Sequence, residues 1–110
     1  MTEKIVNLTP HDVHIITGDE VRCFAKSGAV ARVSTHTIQC EAVQGVATVR
    51  IEYGAVEGLP PPEADTFYIV SMLVAQRATG QRDDLLSPNS NEAVRGQDGN
   101  IRGTPSFVRY

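Results

Sequence analysis

The densest group of side chains that could do chemistry lies in the C-terminal third of the chain. Arg82, Asp83 and Asp84 are consecutive, and Asn89 and Arg95 follow. Arginine binds phosphate and carboxylate groups bidentately, while carboxylates and amides can hydrogen-bond a sugar hydroxyl or a base edge. This group predicts a binding site for a small anion, with Arg82, Asp84, Asn89 and Arg95 as ligand-binding residues. The same spacing also fits a local ion pair between Arg82 and Asp84 that fixes a surface loop.

Two residues that precede this group extend the predicted site. The run Phe67–Val70 is apolar on both faces, which predicts a buried central strand, and Ser71 follows as a helix N-cap. Backbone N–H groups at Ser71 could face an anion, and the ring of Tyr68 could stack on a planar ligand. The alternatives are an ordinary capped helix and a tyrosine that belongs to the core.

Catalytic and metal-binding patterns are absent from the sequence, so we predict no catalytic residues, no metal and no cofactor. The three histidines have no HExxH or His-x-His spacing, and Cys23 and Cys40 are far apart. Ser71 lacks a GxSxG context, and adjacent Asp83 and Asp84 would point apart in an extended loop. The two cysteines are predicted to be buried thiols in a reducing cytoplasm.

The charge balance excludes some partners and favours others. The net charge is −3, whereas a general nucleic-acid binder needs a basic surface. Five of the eight arginines nevertheless lie after residue 70, beside the polar group. There is no signal-peptide pattern and no run of about 18 apolar residues, so we expect a cytoplasmic protein without membrane contact.

The elements that must position these residues are predicted to be mainly strands. Val and Ile total 20 against 5 Leu, a bias typical of strands, and Val46 to Tyr53 alternates with period two. One short helix is predicted near 71–79, ended by Gly80. A chain of 110 residues is predicted to be a single domain over 1–110. The expected fold is mainly β (α+β): a small antiparallel β-sandwich or partly open barrel with one short helix.

Motifs spread over nearly the whole chain resemble those of a family of short, largely uncharacterised proteins from bacterial viruses and bacteria. The motifs are Asn7-Leu8-Thr9-Pro10-His11, Ala31-Arg32-Val33, Gly58-Leu59-Pro60-x-Pro62, Tyr68-Ile69-Val70-Ser71-x-Leu73-Val74-Ala75, Arg82-x-Asp84-Leu85, Pro88, and Val94-Arg95-x-x-Asp98-Gly99-x-Ile101-x-Gly103. The viral setting that this resemblance implies suggests a protein that sequesters a nucleotide signal of host defence.

Three functions follow as hypotheses. The first is non-catalytic binding of a small anionic ligand, a nucleotide or an ADP-ribose-like signal, by a homo-oligomer in the host cytoplasm. The second is a protein-interaction or structural module that uses the prolines at 60–62 and an edge strand near Phe107. The third is a small hydrolase of nucleotide signals.

Overall fold

The computed structural model describes residues 3–95 and 101–110, and the mainly β prediction with one short helix is confirmed. The elements in chain order are β1 (Lys4–Asn7), β2 (Val13–Thr17), β3 (Glu20–Phe24), β4 (Arg32–Val43), β5 (Val46–Glu57), β6 (Thr66–Ile69), α1 (Met72–Arg77), β7 (Leu85–Pro88), a 3₁₀ turn (Ser90–Glu92), β8 (Val94–Arg95), β9 (Ile101–Gly103) and β10 (Phe107–Val108). In this part of the chain no helix is long and apolar enough to cross a membrane.

The central sheet has the strand order β1-β6-β7-β10, and it differs from the antiparallel sheet expected. The pairs β1–β6 and β6–β7 are parallel, and only β7–β10 is antiparallel. Parallel neighbours need a crossover connection, which α1 supplies between β6 and β7. Three further two-stranded sheets pair β2 with β3, β4 with β5 and β8 with β9, and none of the described sheets closes into a barrel.

The core lies where α1 covers one face of the central sheet. Its buried members are Leu8, Ala31, Tyr68, Val70, Val74, Ala75, Ala78 and Leu85, and the half-buried Val6, Val33, Val56 and Leu59 pack against them. In the apolar run Phe67–Val70, Tyr68, Ile69 and Val70 are buried, as predicted for a central strand covered on both faces, and Phe67 is half-buried. This body holds the start of the polar loop that follows α1.

A long hairpin of β4 and β5 leaves this body. Each strand has 12 residues, and β4 runs without a break through Ser34–Thr37, where the sequence suggests two shorter runs. The turn at Gln44 and Gly45 has positive φ at both positions (49° and 78°), as a two-residue hairpin turn requires. Contrary to the prediction of buried thiols, Cys23 and Cys40 are exposed, because they lie on the two hairpins outside the core.

The buried amide of Asn7 joins the sheet to the first hairpin. Its side chain is only 2% exposed, and its Nδ2 donates to the backbone oxygens of His11 and Phe24 at 2.8 Å. Its Oδ1 accepts from the backbone N–H and the Oγ1 of Thr9 at 2.9 and 2.7 Å. Its backbone oxygen accepts from the N–H and the Oγ of Ser27. One residue therefore fixes three segments that diverge from β1.

Replacing Asn7 by alanine is expected to lower the free energy of unfolding by about 2–4 kcal/mol, because each buried polar group left unpaired costs about 1–3 kcal/mol. Urea denaturation measures this loss. The matched control is Asn91→Ala in the exposed 3₁₀ turn, which should stay within about 0.5 kcal/mol of the parent. Equal stability of the Asn7 variant and the parent would contradict the role assigned to this amide.

Candidate functional site

The loop that follows α1 is folded tightly by its own backbone. Ser71 caps the helix by accepting a hydrogen bond from the Val74 N–H at 3.3 Å. At the other end, the carbonyl oxygen of Ala78 accepts from the N–H groups of Gln81 and Arg82 at 3.0 and 3.2 Å. The chain reverses there, and Arg82 is directed back toward the sheet.

Arg82 and Asp84 form a bidentate ion pair, as the second of the two sequence interpretations expected. The Arg82 Nε lies 2.9 Å from Oδ1 and the Nη2 lies 2.8 Å from Oδ2. The two side chains are 15% and 11% exposed, so water screens the pair only weakly. The hydrogen bonds from Arg82 hold the pKa of Asp84 below its usual range, and those to Asp84 raise the pKa of Arg82. Two of the five guanidinium N–H donors are used, and three remain.

Tyr68 supports Arg82 from beneath. Its ring is 3% exposed, and the Cζ atom of Arg82 lies 5.9 Å from the ring centroid. Burial, followed by the nearby charges of Glu63 and Asp84, raises the pKa of its hydroxyl group. The hydroxyl donates a long 3.5 Å hydrogen bond to the Pro61 carbonyl oxygen. The structure thus places Tyr68 in the core under the guanidinium group.

The other predicted site residues lie on different elements. Asn89 follows β7, where its Nδ2 donates to the Oγ of Ser106 at 3.2 Å and its N–H donates to the Ser106 carbonyl oxygen at 3.0 Å. Arg95 lies on β8, opposite β9. Neither residue is among the described residues that line the cavities beside Arg82. The sequence Asp98-Gly99-Asn100 is typical of a turn between two strands, and it lies outside the described residues.

Two cavities meet at Gln81 and Arg82. The first has a volume of about 460 Å³, and its wall includes Arg82, Arg109, Asp83 and the apolar Leu85. The second, of about 500 Å³, lies between Arg77 at the end of α1 and the base of the β4–β5 hairpin. Volumes of this size are typical of small-molecule sites.

Arg109 is the residue that sequence reasoning did not single out. Its Nη2 donates to the Asp83 carbonyl oxygen at 2.6 Å, and its Cζ atom lies 5.5 Å from the centroid of the Phe67 ring. The contact with Asp83 spans 26 positions in the chain, so local spacing contains no sign of it. The only sequence signal was the excess of arginines after residue 70.

An acidic cavity of about 250 Å³ lies on the other side of the ion pair. Its wall includes the acidic residues Glu3, Glu63, Asp65, Asp83 and Asp84, and also Arg109. Arg82 lines the first and second cavities but not this one, so an anionic ligand at Arg82 would approach from the first or second cavity. Within residues 3–95 and 101–110, no three His, Cys, Asp or Glu side chains are grouped to hold a metal ion.

Comparisons with protein-family models, curated proteins and solved structures found no match for this chain.

The ion pair predicts a pH-dependent loss of stability in Asp84→Asn. Because the pKa of Asp84 is lowered on folding, the pair stabilises the protein above the unfolded carboxyl pKa, and this contribution is lost as pH falls through the folded pKa. We expect the variant to unfold about 1–3 kcal/mol more easily at pH 7, because hydrogen bonds to charged groups contribute that much. The difference should shrink below about pH 4.

Urea denaturation across this pH range measures the effect, and Asp83→Asn is the matched control. Asp83 is the exposed neighbour, and it contacts Arg109 through its backbone oxygen, which the substitution keeps. A difference between the parent and Asp84→Asn that does not change with pH would contradict the electrostatic role.

Proposed function

We propose that the protein binds a small anionic ligand of the nucleotide or ADP-ribose class, without turning it over, in the cavity between Arg82 and Arg109. The observation that carries the proposal is that two arginines from distant parts of the chain, Arg82 and Arg109, line one cavity of about 460 Å³. Guanidinium groups bind phosphate bidentately, and Arg82 keeps three unused N–H donors beyond its pair with Asp84.

Each residue of the wall has a role in this proposal. Arg82 and Arg109 hold the phosphate groups, and Asp84 is a positioning residue that fixes the plane of the Arg82 guanidinium. The amide of Gln81 can hydrogen-bond a base or ribose edge, and Leu85 gives the ligand an apolar contact. Tyr68 holds Arg82 from the core. Ser71, Asn89 and Arg95, which the sequence also suggested, are given no role in this proposal, because they are not among the described residues that line the cavity.

The chemistry of the described residues favours binding over hydrolysis. No histidine side chain in this part of the chain hydrogen-bonds a serine or cysteine, so the usual activation of a nucleophile has no support there. A binder that acts by stoichiometry needs only affinity and abundance. Sequestration of a nucleotide signal in the host cytoplasm, which the family resemblance suggests, is the use of the site that we propose.

A thermal-shift panel of ADP-ribose, cyclic dinucleotides and linear nucleotides tests the proposal. A ligand at 100 times its dissociation constant should stabilise the protein by about 2.7 kcal/mol, which raises Tm on the order of 10 °C for a chain of this size. Arg109→Gln should weaken binding about 10-fold to 100-fold, because a charge-assisted hydrogen bond contributes roughly 1.5–3 kcal/mol.

The matched control is Arg22→Gln, since Arg22 also lies over a phenylalanine ring, that of Phe24 at 5.0 Å, but lines neither cavity beside Arg82. It should bind the ligand like the parent. No Tm change with any member of the panel would overturn the proposal, and recovery of a hydrolysed ligand would replace it with the enzyme hypothesis.

A further inference from the structure

The β4–β5 hairpin carries an apolar row that begins in the core and continues into solvent. Cross-strand partners lie on the same face of a hairpin, so the pairs Val33–Val56, Thr35–Tyr53, Thr37–Ile51 and Gln39–Val49 share one face. Val33 and Val56 pack against the core at the base. Farther out, Tyr53, Ile51 and Val49 are 41%, 48% and 55% exposed. The row is therefore the core-facing side of the hairpin, extended beyond the body that would cover it.

The geometry at the base explains this continuity. Gly54 and Ala55 together oppose Ser34, which makes a bulge in β5 between the pairs Val33–Val56 and Thr35–Tyr53. A side chain at Gly54 would collide with the Oγ of Ser34, so a larger residue there would require Ser34 to change its rotamer. Residues three positions apart lie on opposite faces of a regular strand. Because the bulge adds one residue to β5, Tyr53 and Val56 lie on the same face. At this point the Arg77 guanidinium lies over the Tyr53 ring, 5.4 Å from its centroid.

The opposite face of the hairpin has a different character. It presents His36, Ile38, Arg50 and Glu52, with Ile38 directly across from Arg50. Apolar side chains appear again only at the tip, where Val43 and Val46 flank the turn. The two faces therefore offer a comparison within one element, because one is an apolar row and the other is mostly polar.

As an isolated element this hairpin would be marginal. Two-stranded hairpins are barely stable in water on their own, yet each strand here has 12 residues and no other described strand pairs with either edge. From Val33 to Cys40 the edge strand β4 has no proline, lysine, arginine or carboxylate, the residues that usually protect an exposed edge. A covering partner would supply the missing stability.

The surface area of the chain indicates how much is left to cover. The accessible surface is 7765 Å², whereas a folded monomer of 11.9 kDa is expected to expose about 5,900 Å². The surplus of about 1,800 Å² exceeds the roughly 800 Å² that one partner contributes to a standard interface. The radius of gyration is 16.8 Å, against about 13 Å for a compact chain of this length. The surplus belongs to the chain as a whole, and it is consistent with a chain whose projecting hairpin lacks a covering partner.

We propose that this face docks on a second copy of the same chain, hairpin against hairpin, to form a homo-oligomer. The hairpin carries two arginines and three glutamates, so its near balance of charge selects neither an acidic nor a basic partner; these residues are Arg32, Arg50, Glu41, Glu52 and Glu57. A two-fold axis brings the row of Tyr53, Ile51 and Val49 into contact with the same row of the second copy, so that the two surfaces match in apolar character and in length.

Light scattering coupled to size-exclusion chromatography tests this proposal on the full chain. The parent protein at about 100 µM should have a mass of at least twice 11.9 kDa, because self-association depends on protomer concentration. Ile51→Glu places a charge in the apolar row, and we expect this variant to elute as the 11.9 kDa monomer with the circular dichroism spectrum of a folded protein.

Ile38→Glu is the matched control, because it makes the same substitution in the same hairpin on the opposite face, beside Arg50. It should keep the mass of the parent. A monomeric parent would overturn the proposal and would mean that another partner covers the row or that nothing does. An oligomer that Ile38→Glu dissociates and Ile51→Glu preserves would overturn the assignment of the face. If Ile51→Glu fails to fold, Val49→Glu replaces it, because Val49 lies in the same row and is more exposed.

This proposal does not rest on the anion site, and the two can fail separately. The Arg82–Arg109 cavity is lined by residues outside the hairpin, so monomeric Ile51→Glu should still respond to the ligand in the thermal-shift panel.

Discussion

The fold depends first on the saturated amide of Asn7 at the end of β1. A buried amide that lacks partners is costly, so a residue with four side-chain hydrogen bonds permits one arrangement of the segments that supply them. The Asn7 amide donates to His11 and Phe24 and so fixes where the first hairpin starts and ends. The backbone oxygen of Asn7 accepts from Ser27 and so fixes the path of the chain toward β4. Burial of apolar side chains stabilises the sheet itself, whereas the hydrogen bonds of Asn7 fix the positions of the segments between β1 and β4.

Local sequence patterns predicted those parts of the fold that local chemistry decides. The apolar run Phe67–Val70, the cap at Ser71 and the alternation from Val46 to Tyr53 all correspond to elements of the structure. The strand β7 was missed because Leu85 and Leu86 lie in a polar stretch, and they become a strand only beside β6. Alternation also shows which residues share a face, but not what covers that face. Cys23 and Cys40 were expected inside because free cysteines usually pack as small apolar side chains, and they lie outside.

In the candidate site too, local contacts could be predicted from the sequence and contacts between distant segments could not. The pair of Arg82 and Asp84 is two residues apart, so sequence reasoning could propose it as an alternative to a ligand contact, and it forms. Arg109 reaches the loop only because β10 pairs with β7, a contact between distant parts of the chain. The polar residues farther along the predicted group were separated because Asn89 leaves β7 at its end and Arg95 joins a different sheet. Proximity in sequence thus predicted the contact between residues two positions apart, but not which of the more distant residues lie beside them.

The second cavity connects the anion site to the base of the β4–β5 hairpin. Its wall includes Arg77 and Arg82 from the loop region, and Gly54 and Val56 from the base of the hairpin. Arg77 also lies over Tyr53, the first exposed member of the apolar row. A ligand confined to the Arg82–Arg109 cavity would be indifferent to the state of the hairpin. A ligand large enough to extend into the second cavity would contact the base of the hairpin. Its affinity would then depend on whether the hairpin is assembled with a second copy. Because linkage between binding equilibria is reciprocal, the ligand would change the free energy of assembly by the same amount.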